Sequence, residues 1–186
     1  MHRQGRSAVG VGLAAAALAA PLAHAQIATD GTLGTATALS GPNFAIPASL
    51  GRQAGANLFH SFAAFGVPTG GSATFSGPTN VANVISRVTG ASASSIDGTL
   101  RSTIAGANLF LINPRGIVFG PNASLDLTGA FYASTANYLR MGDGTRFEAT
   151  ATVPAVLSMA PPEAFGFLGP TAAPITLAQG AHRAPP

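Results

Sequence analysis

Beyond residue 26 the chain sets short apolar bursts between small clusters of Gly, Pro, Asn and Asp, and little of it carries the spacing of an amphipathic helix. The bursts at 58–62, 73–75, 81–85, 109–112, 117–119, 124–127, 131–134 and 146–149 predict strands, separated by turn-forming residues at intervals of about eight to twelve. Asp-Gly-Thr occurs at 30–32, 97–99 and 143–145, and each Asp-Gly predicts a tight turn whose glycine supplies a positive φ. Several strands are apolar on both faces. In Ala107-Asn108-Leu109-Phe110-Leu111-Ile112 the pattern hardly alternates, which suits a strand buried on both sides by parallel neighbours.

The stretch Ala54-Gly55-Ala56-Asn57-Leu58-Phe59 recurs as Ala105-Gly106-Ala107-Asn108-Leu109-Phe110, and each copy runs on to a Phe-Gly, at Phe65-Gly66 and Phe119-Gly120. Similar segments at a fixed offset suit coils stacked along an axis, with aliphatic and aromatic residues inside and Asn and Gly at the corners. Periodicity by itself leaves a sandwich, a barrel and a solenoid open, with the solenoid ahead.

Composition and the first residues change the picture in four ways. Of the 186 residues 47% are hydrophobic and only 8% charged, which fits a turn-dense all-β chain rather than a disordered one. The first residues form an export address: Arg3 and Arg6, an apolar run over 9–20 too short to span a bilayer, then Ala23-His24-Ala25. Residues 1–25 are therefore expected to be a signal peptide cut between Ala25 and Gln26. The competing reading is an uncleaved anchor helix, against which Pro21 and the small residues after it argue. Without Arg3 and Arg6, seven arginines face six acidic residues, and they stand singly rather than in a patch, so nucleic acid is not expected as a partner. The sequence contains no Cys. Either the exported chain must stay free of cross-links while it threads a second membrane, or its fold needs no staples.

Little in the sequence points to catalysis. The acids that follow the signal are Asp30, Asp97, Asp126, Asp143, Glu148 and Glu163, three of them in Asp-Gly turns, and no nucleophile elbow, phosphate loop or metal motif is present. No catalytic residue, metal or cofactor is expected. His60 is the only His between the signal and the tail; alternating with Leu58 and Phe62, it is expected to be packed and hydrogen-bonded. Asn57 and Asn108 hold equivalent places in the echo and are expected to bond backbone at coil corners.

An ordered series of motifs then narrows the reading. Asn57-Leu58-Phe59-His60-Ser61-Phe62, Asn83-Val84-Ile85-Ser86-Arg87-Val88-Thr89-Gly90, Ser95-Ile96-Asp97-Gly98, Asn113-Pro114-Arg115-Gly116-Ile117-Val118-Phe119-Gly120 and Ala133-Ser134-Thr135-Ala136 follow one another in the order of the filamentous haemagglutinin N-terminal secretion domain family, which this chain resembles over about residues 26–150. The resemblance implies a right-handed parallel β-helix with an N-terminal cap and small antiparallel extra-helical elements. It implies a signal peptide over 1–25, a two-partner secretion domain over 26–160, and over 161–186 the start of a further coil or an irregular tail. It further implies export by the Sec machinery, and capture by the periplasmic POTRA domains of a cognate outer-membrane transporter. The product is then secreted or held at the cell surface, where downstream repeats contact host or bacterial ligands. Those repeats are not in this sequence, which leaves a bare module, a truncated product and a fragment open.

The residues carried over for secretion are Asn113, Pro114, Arg115 and Gly116, with Asn57, Asn83 and Arg87. The family's Asn-Pro-Asn-Gly turn has Arg115 at its third position here, which Pro at the second position and Gly at the fourth still allow. Arg87, Arg101 and Arg115 are expected either to meet an acidic receptor groove or to lie solvated at the surface. The alternatives to a secretion domain are a stand-alone adhesive or carbohydrate-binding β-helix module and, further off, a β-helical polysaccharide-active enzyme.

Overall fold

A computed structural model describes residues 27–150 and 155–178. The expected cleavage point at Ala25 and Gln26, with the rest of the signal segment, lies outside the described residues. The described residues are all-β and form a parallel β-solenoid of about four turns. Strand β1 (Ile27–Thr29) begins it. The first coil comprises β2 (Asn43–Pro47), a single 3-10 turn at Ala48–Leu50, β3 (Arg52–Ala54) and β4 (Asn57–Phe65). The second comprises β5 (Ser72–Ser76), β6 (Asn83–Val88) and β7 (Ser94–Ile96), and the third β8 (Thr99–Ser102), β9 (Asn108–Ile112) and β10 (Ile117–Phe119). The fourth starts with β11 (Ser124–Asp126) and β12 (Phe131–Ser134). The chain then leaves the coil for β13 (Tyr138–Met141), β14 (Arg146–Glu148) and β15 (Pro162–Gly166), and returns with β16 (Ile175–Leu177).

Three parallel sheets wall the solenoid. The first runs β4-β6-β9-β12, with β1 and β3 capping β4 antiparallel; the second runs β2-β5-β8-β11; the third runs β7-β10-β16. Register puts like on like. Leu58, Val84, Leu109 and Phe131 stack on the first sheet, and Phe44, Ala73, Leu100 and Leu125 on the second. All of these but Leu125, which is exposed, fill the interior together with Val67, Ile96 and Ile117 of the third side.

The first sheet is also buried on its outer side. Phe59, Ile85, Phe110 and Ile112 form a second apolar layer with Leu139, Met141, Phe147 and Ala149 of the antiparallel sheet β14-β13-β15. All six residues of β6 are buried for this reason. The two-sided apolar pattern thus has two causes, the parallel coil inside and an antiparallel cover outside.

The predicted strands differ from the observed ones mainly by omission. The burst at 81–85 becomes a strand from Asn83 to Val88, because Val81 and Ala82 form the corner. Strands β1, β2, β3, β7, β8, β13, β15 and β16 carry no long apolar run; Thr99-Leu100-Arg101-Ser102 is held by coil register rather than by propensity. Two of the three Asp-Gly-Thr glycines have positive φ, Gly31 and Gly144, both at 83°. Gly98 does not. A Cβ there would lie 2.4 Å from the Gly71 carbonyl oxygen and 2.5 Å from that of Pro68, so this corner needs the absence of a side chain rather than a left-handed backbone.

Two-sided burial of β4 makes a prediction. Leu58→Ala and Phe59→Ala, on opposite faces of one strand, should each cost about 2–5 kcal/mol in urea unfolding. Val118→Ala, at an exposed position on β10, should change stability by less than about 0.5 kcal/mol.

Candidate functional site

The residues carried over for secretion fall into three places on or beside the first sheet. At the entry end of its strands, Asn57, Asn83 and Asn108 stand in register on successive coils. They form a side-chain ladder. Asn108 Nδ2 donates to Asn83 Oδ1 at 3.1 Å and Asn83 Nδ2 to Asn57 Oδ1 at 2.9 Å. Asn57 Nδ2 then donates to the carbonyls of Ser158 at 3.0 Å and Ala160 at 2.7 Å, while Asn108 Oδ1 accepts the Ala130 amide at 3.0 Å. An amide has both donors and an acceptor, so a stack of amides can polarise in one direction and needs backbone partners only at its ends. The expected backbone bonds of Asn57 and Asn108 are therefore half of the arrangement. The other half is the bond to Asn83, which the sequence shows as a third copy, Ala82-Asn83-Val84-Ile85, midway between the two echoes.

Arg87 lies toward the other end of β6 and is 1% exposed. Its Nε donates to Ser61 Oγ at 2.7 Å, one terminal nitrogen to Thr32 Oγ1 at 2.9 Å and the other to the Glu148 carbonyl, and the guanidinium sits 4.7 Å from the Phe147 ring centroid. Burial lowers its pKa, and the charges of Asp30 and Glu148 offset part of that shift. Asp30 completes the cluster. Burial alone would raise its pKa, but bonds from Ser61 (2.6 Å), Thr32 and Thr89 (2.7 Å) together hold it below the ordinary carboxylate value. The solvated alternative considered for Arg87 does not describe it in the folded chain, because the outer face of the first sheet is covered. Arg101 does lie at the surface, 2.6 Å from Asp126.

The turn from Asn113 to Gly116 joins the first sheet to the third. Asn113 is fully buried; its Nδ2 donates to the Ser92 carbonyl at 3.1 Å and to Ser94 Oγ at 3.0 Å, and its Oδ1 accepts the Arg115 amide at 2.9 Å. The Gly116 amide closes the turn on the Asn113 carbonyl at 3.1 Å. Asn at the first position, Pro at the second and Gly at the fourth are the type I signature. Only Gly116, with φ 115°, needs the left-handed region, so Arg115 fits the third position without strain and its side chain is exposed.

His60 is packed but not hydrogen-bonded, a correction to the expectation. It points into the solenoid with its ring 5.9 Å from Phe62 and 5.6 Å from Phe75, and neither nitrogen has a partner, nor does Ser86 Oγ on the next coil. Burial depresses its pKa to about 4, with the Leu50 carbonyl opposing part of the shift without closing a well-formed bond. Sequence reasoning also missed the wider work of the Asp-Gly-Thr turns. Asp30 and Asp143 each take the amide two residues on with one oxygen, and with the other a distant serine, Ser61 and Ser158, both at 2.6 Å. Asp97 binds Thr69 and Asn122, residues of the coil corners before and after it. Among the described residues no three His, Asp or Glu side chains converge as they would on a metal ion.

The described chain is thus a parallel β-solenoid whose notable polar groups are spent on holding coils together. It matches the TPS secretion domain over residues 25–175, and the chain belongs to that family. Membership makes it a secretion module rather than a member of an enzyme family, with a cognate outer-membrane transporter as its general partner and export through the periplasm as its route. No curated protein and no solved structure matches it.

Two predictions follow from this geometry. Asn83→Ala strands Asn57 Oδ1 and Asn108 Nδ2, and should lower unfolding free energy by about 1–3 kcal/mol; Asn122→Ala, at an exposed corner, should cost less than about 1 kcal/mol. For His60 the unfolded imidazole binds a proton near its ordinary pKa of 6.5 while the folded one resists until about 4. Stability is therefore complete above the first value and lost as pH falls toward the second. The urea midpoint should correspond to about 2 kcal/mol less at pH 5 than at pH 7, and His60→Leu should flatten that slope. Asp30, Asp97 and Asp143 are held below the ordinary carboxylate value, so their contributions fade at lower pH.

Proposed function

We propose that this chain is the targeting domain of a two-partner secretion exoprotein of the adhesin type, delivered to the periplasm by the Sec machinery after loss of a signal peptide at Ala25–Gln26. The periplasmic POTRA domains of its outer-membrane transporter capture it there while unfolded, and it nucleates the β-helix outside the cell. No chemistry is assigned to it. The observation that carries this reading is the family match over 25–175, which takes in every described strand up to the start of β16.

The geometry supports capture before folding. Asn57, Asn83, Arg87 and Asn113 are all buried in the folded domain, and of the turn residues Arg115 alone is fully at the surface. A receptor that reads these side chains reads them from an extended chain. Such a chain offers unpaired main-chain donors and acceptors to a receptor strand, so that β-augmentation supplies affinity and side-chain pockets set the register. Outside, a domain of ordinary stability releases about 5–15 kcal/mol on folding, which biases the chain outward where no nucleotide is available to drive it.

Chain diluted from urea should be retained by the transporter's immobilised periplasmic domains, and the same chain folded beforehand should be retained at least about tenfold less, a difference of about 1.4 kcal/mol. Absence of binding by the unfolded chain, together with normal secretion after deletion of residues 57–120, would overturn the proposal.

A further inference from the structure

The antiparallel sheet β13-β14-β15 looks like an addition to the solenoid, yet the first two coils depend on it. Three observations converge. Arg87 of the second coil reaches 61 residues ahead to the Glu148 carbonyl and lies against Phe147. Asn57 of the first coil places its amide donors on carbonyls 101 and 103 residues ahead, at Ser158 and Ala160. The outer layer of Phe59, Ile85 and Ile112, at most 1% exposed, is completed by Leu139, Met141 and Phe147. Ser158 is itself fixed to the β13-β14 turn through Asp143.

We infer that this sheet, with Ser158 and Ala160, is a completion lock: the first two coils reach their folded state only together with it. Remove the sheet and Arg87 loses one hydrogen bond and its aromatic neighbour, Asn57 loses both acceptors, and a row of large apolar side chains meets water. A buried polar group left without its partner costs more than the bond contributed when made. The early coils therefore gain little by forming ahead of the sheet. The consequence, which rests on the proposed function, is that in a chain passing the outer membrane N-terminus first the portion that emerges first stays unfolded until the antiparallel sheet arrives, and the module then closes as one unit. This opposes the coil-by-coil growth ordinarily expected of a solenoid.

Native-state hydrogen exchange on the folded full chain tests the lock without any transporter. Amides of β4 and β6 should open with those of β13 and β14, with exchange rates within about tenfold of one another. If β13 and β14 exchange about a hundredfold faster or more while β4 and β6 stay protected, the sheet is a separable addition and the inference fails. The Asn57→Leu/Arg87→Met double variant replaces both reaching groups by apolar ones, and should split the two sets of rates by about tenfold or more. Rates that still move together would show that these groups do not carry the coupling. Failure of exchange coupling leaves the secretion reading intact, and failure of transporter binding leaves the lock intact, so the two are tested apart.

Discussion

A strand in a parallel coil has almost no local partner. The hydrogen bonds of β6 go to β4 and β9, with Asn83 facing Asn57 and Asn108 at separations of 26 and 25 residues. Everything else about this chain answers to that constraint. Coil length varies, from 29 residues between Phe44 and Ala73 to 22 between Leu109 and Phe131, but the register of each strand on the next cannot, because a slip of one would turn every inward side chain outward. Leu58, Val84 and Leu109 keep the interior continuous only if the offset holds. The asparagine ladder enforces it, since an amide bonds its copy in the next coil only when the two stand directly in line. Ladders of this kind occur wherever identical positions stack in register. Here the ladder ends at Ala130, where the fourth coil carries no asparagine and a backbone amide takes the last acceptor.

The same constraint decides what was legible in the sequence. The echo between 54–59 and 105–110 spans two coils rather than one, and its middle term was hidden because Val84-Ile85 replaces Leu-Phe while the leading Ala-Asn is kept. The type I turn at Asn113-Pro114-Arg115-Gly116 was legible because turn chemistry is local. The secretion domain family was legible because ordered motifs survive where periodicity is weak. Of the antiparallel sheet only β14 and the existence of such an element were legible, and the groups it covers were not. Nothing near Arg87 in the chain tells that Glu148 and Phe147 will cover it, and nothing near Asn57 points to Ser158. The burial of an arginine and the satisfaction of an asparagine are set by segments 61 to 103 residues away, and local pattern carries no trace of such distances.

His60 shows the opposite case, a local pattern that was right about placement and wrong about pairing. Alternation with Leu58 and Phe62 placed the ring inside. The interior at that level is walled by Phe62 and Phe75, with Ser86 the next residue in the stack, and no well-formed hydrogen bond reaches the ring. Among the described residues the unpartnered buried side-chain atoms all belong to His60 and Ser86, neighbours on the first two coils. The polar groups outside the coil are by contrast well supplied, because loops and the antiparallel sheet bring carbonyls and hydroxyls to them. A solenoid interior is a column of side chains with the backbone turned along its wall, so a polar group that enters it finds partners only from its own column.

Long separations also set the order of events. Loop closure must be paid before a parallel pair returns anything, and folds built from non-local pairs fold slowly. The nearby exception among the first strands is the hairpin of β3 and β4, where Arg52 faces Phe59. A chain so built leaves an interval in which its strands are extended, its asparagines and arginine exposed and its backbone unpaired. For a protein that folds where it is made, that interval is a hazard. On the proposed function it is the state in which the transporter holds the chain, and the features that delay folding are those that make the folded state single: amides that bond their copies on neighbouring coils, and an arginine that reaches 61 residues forward.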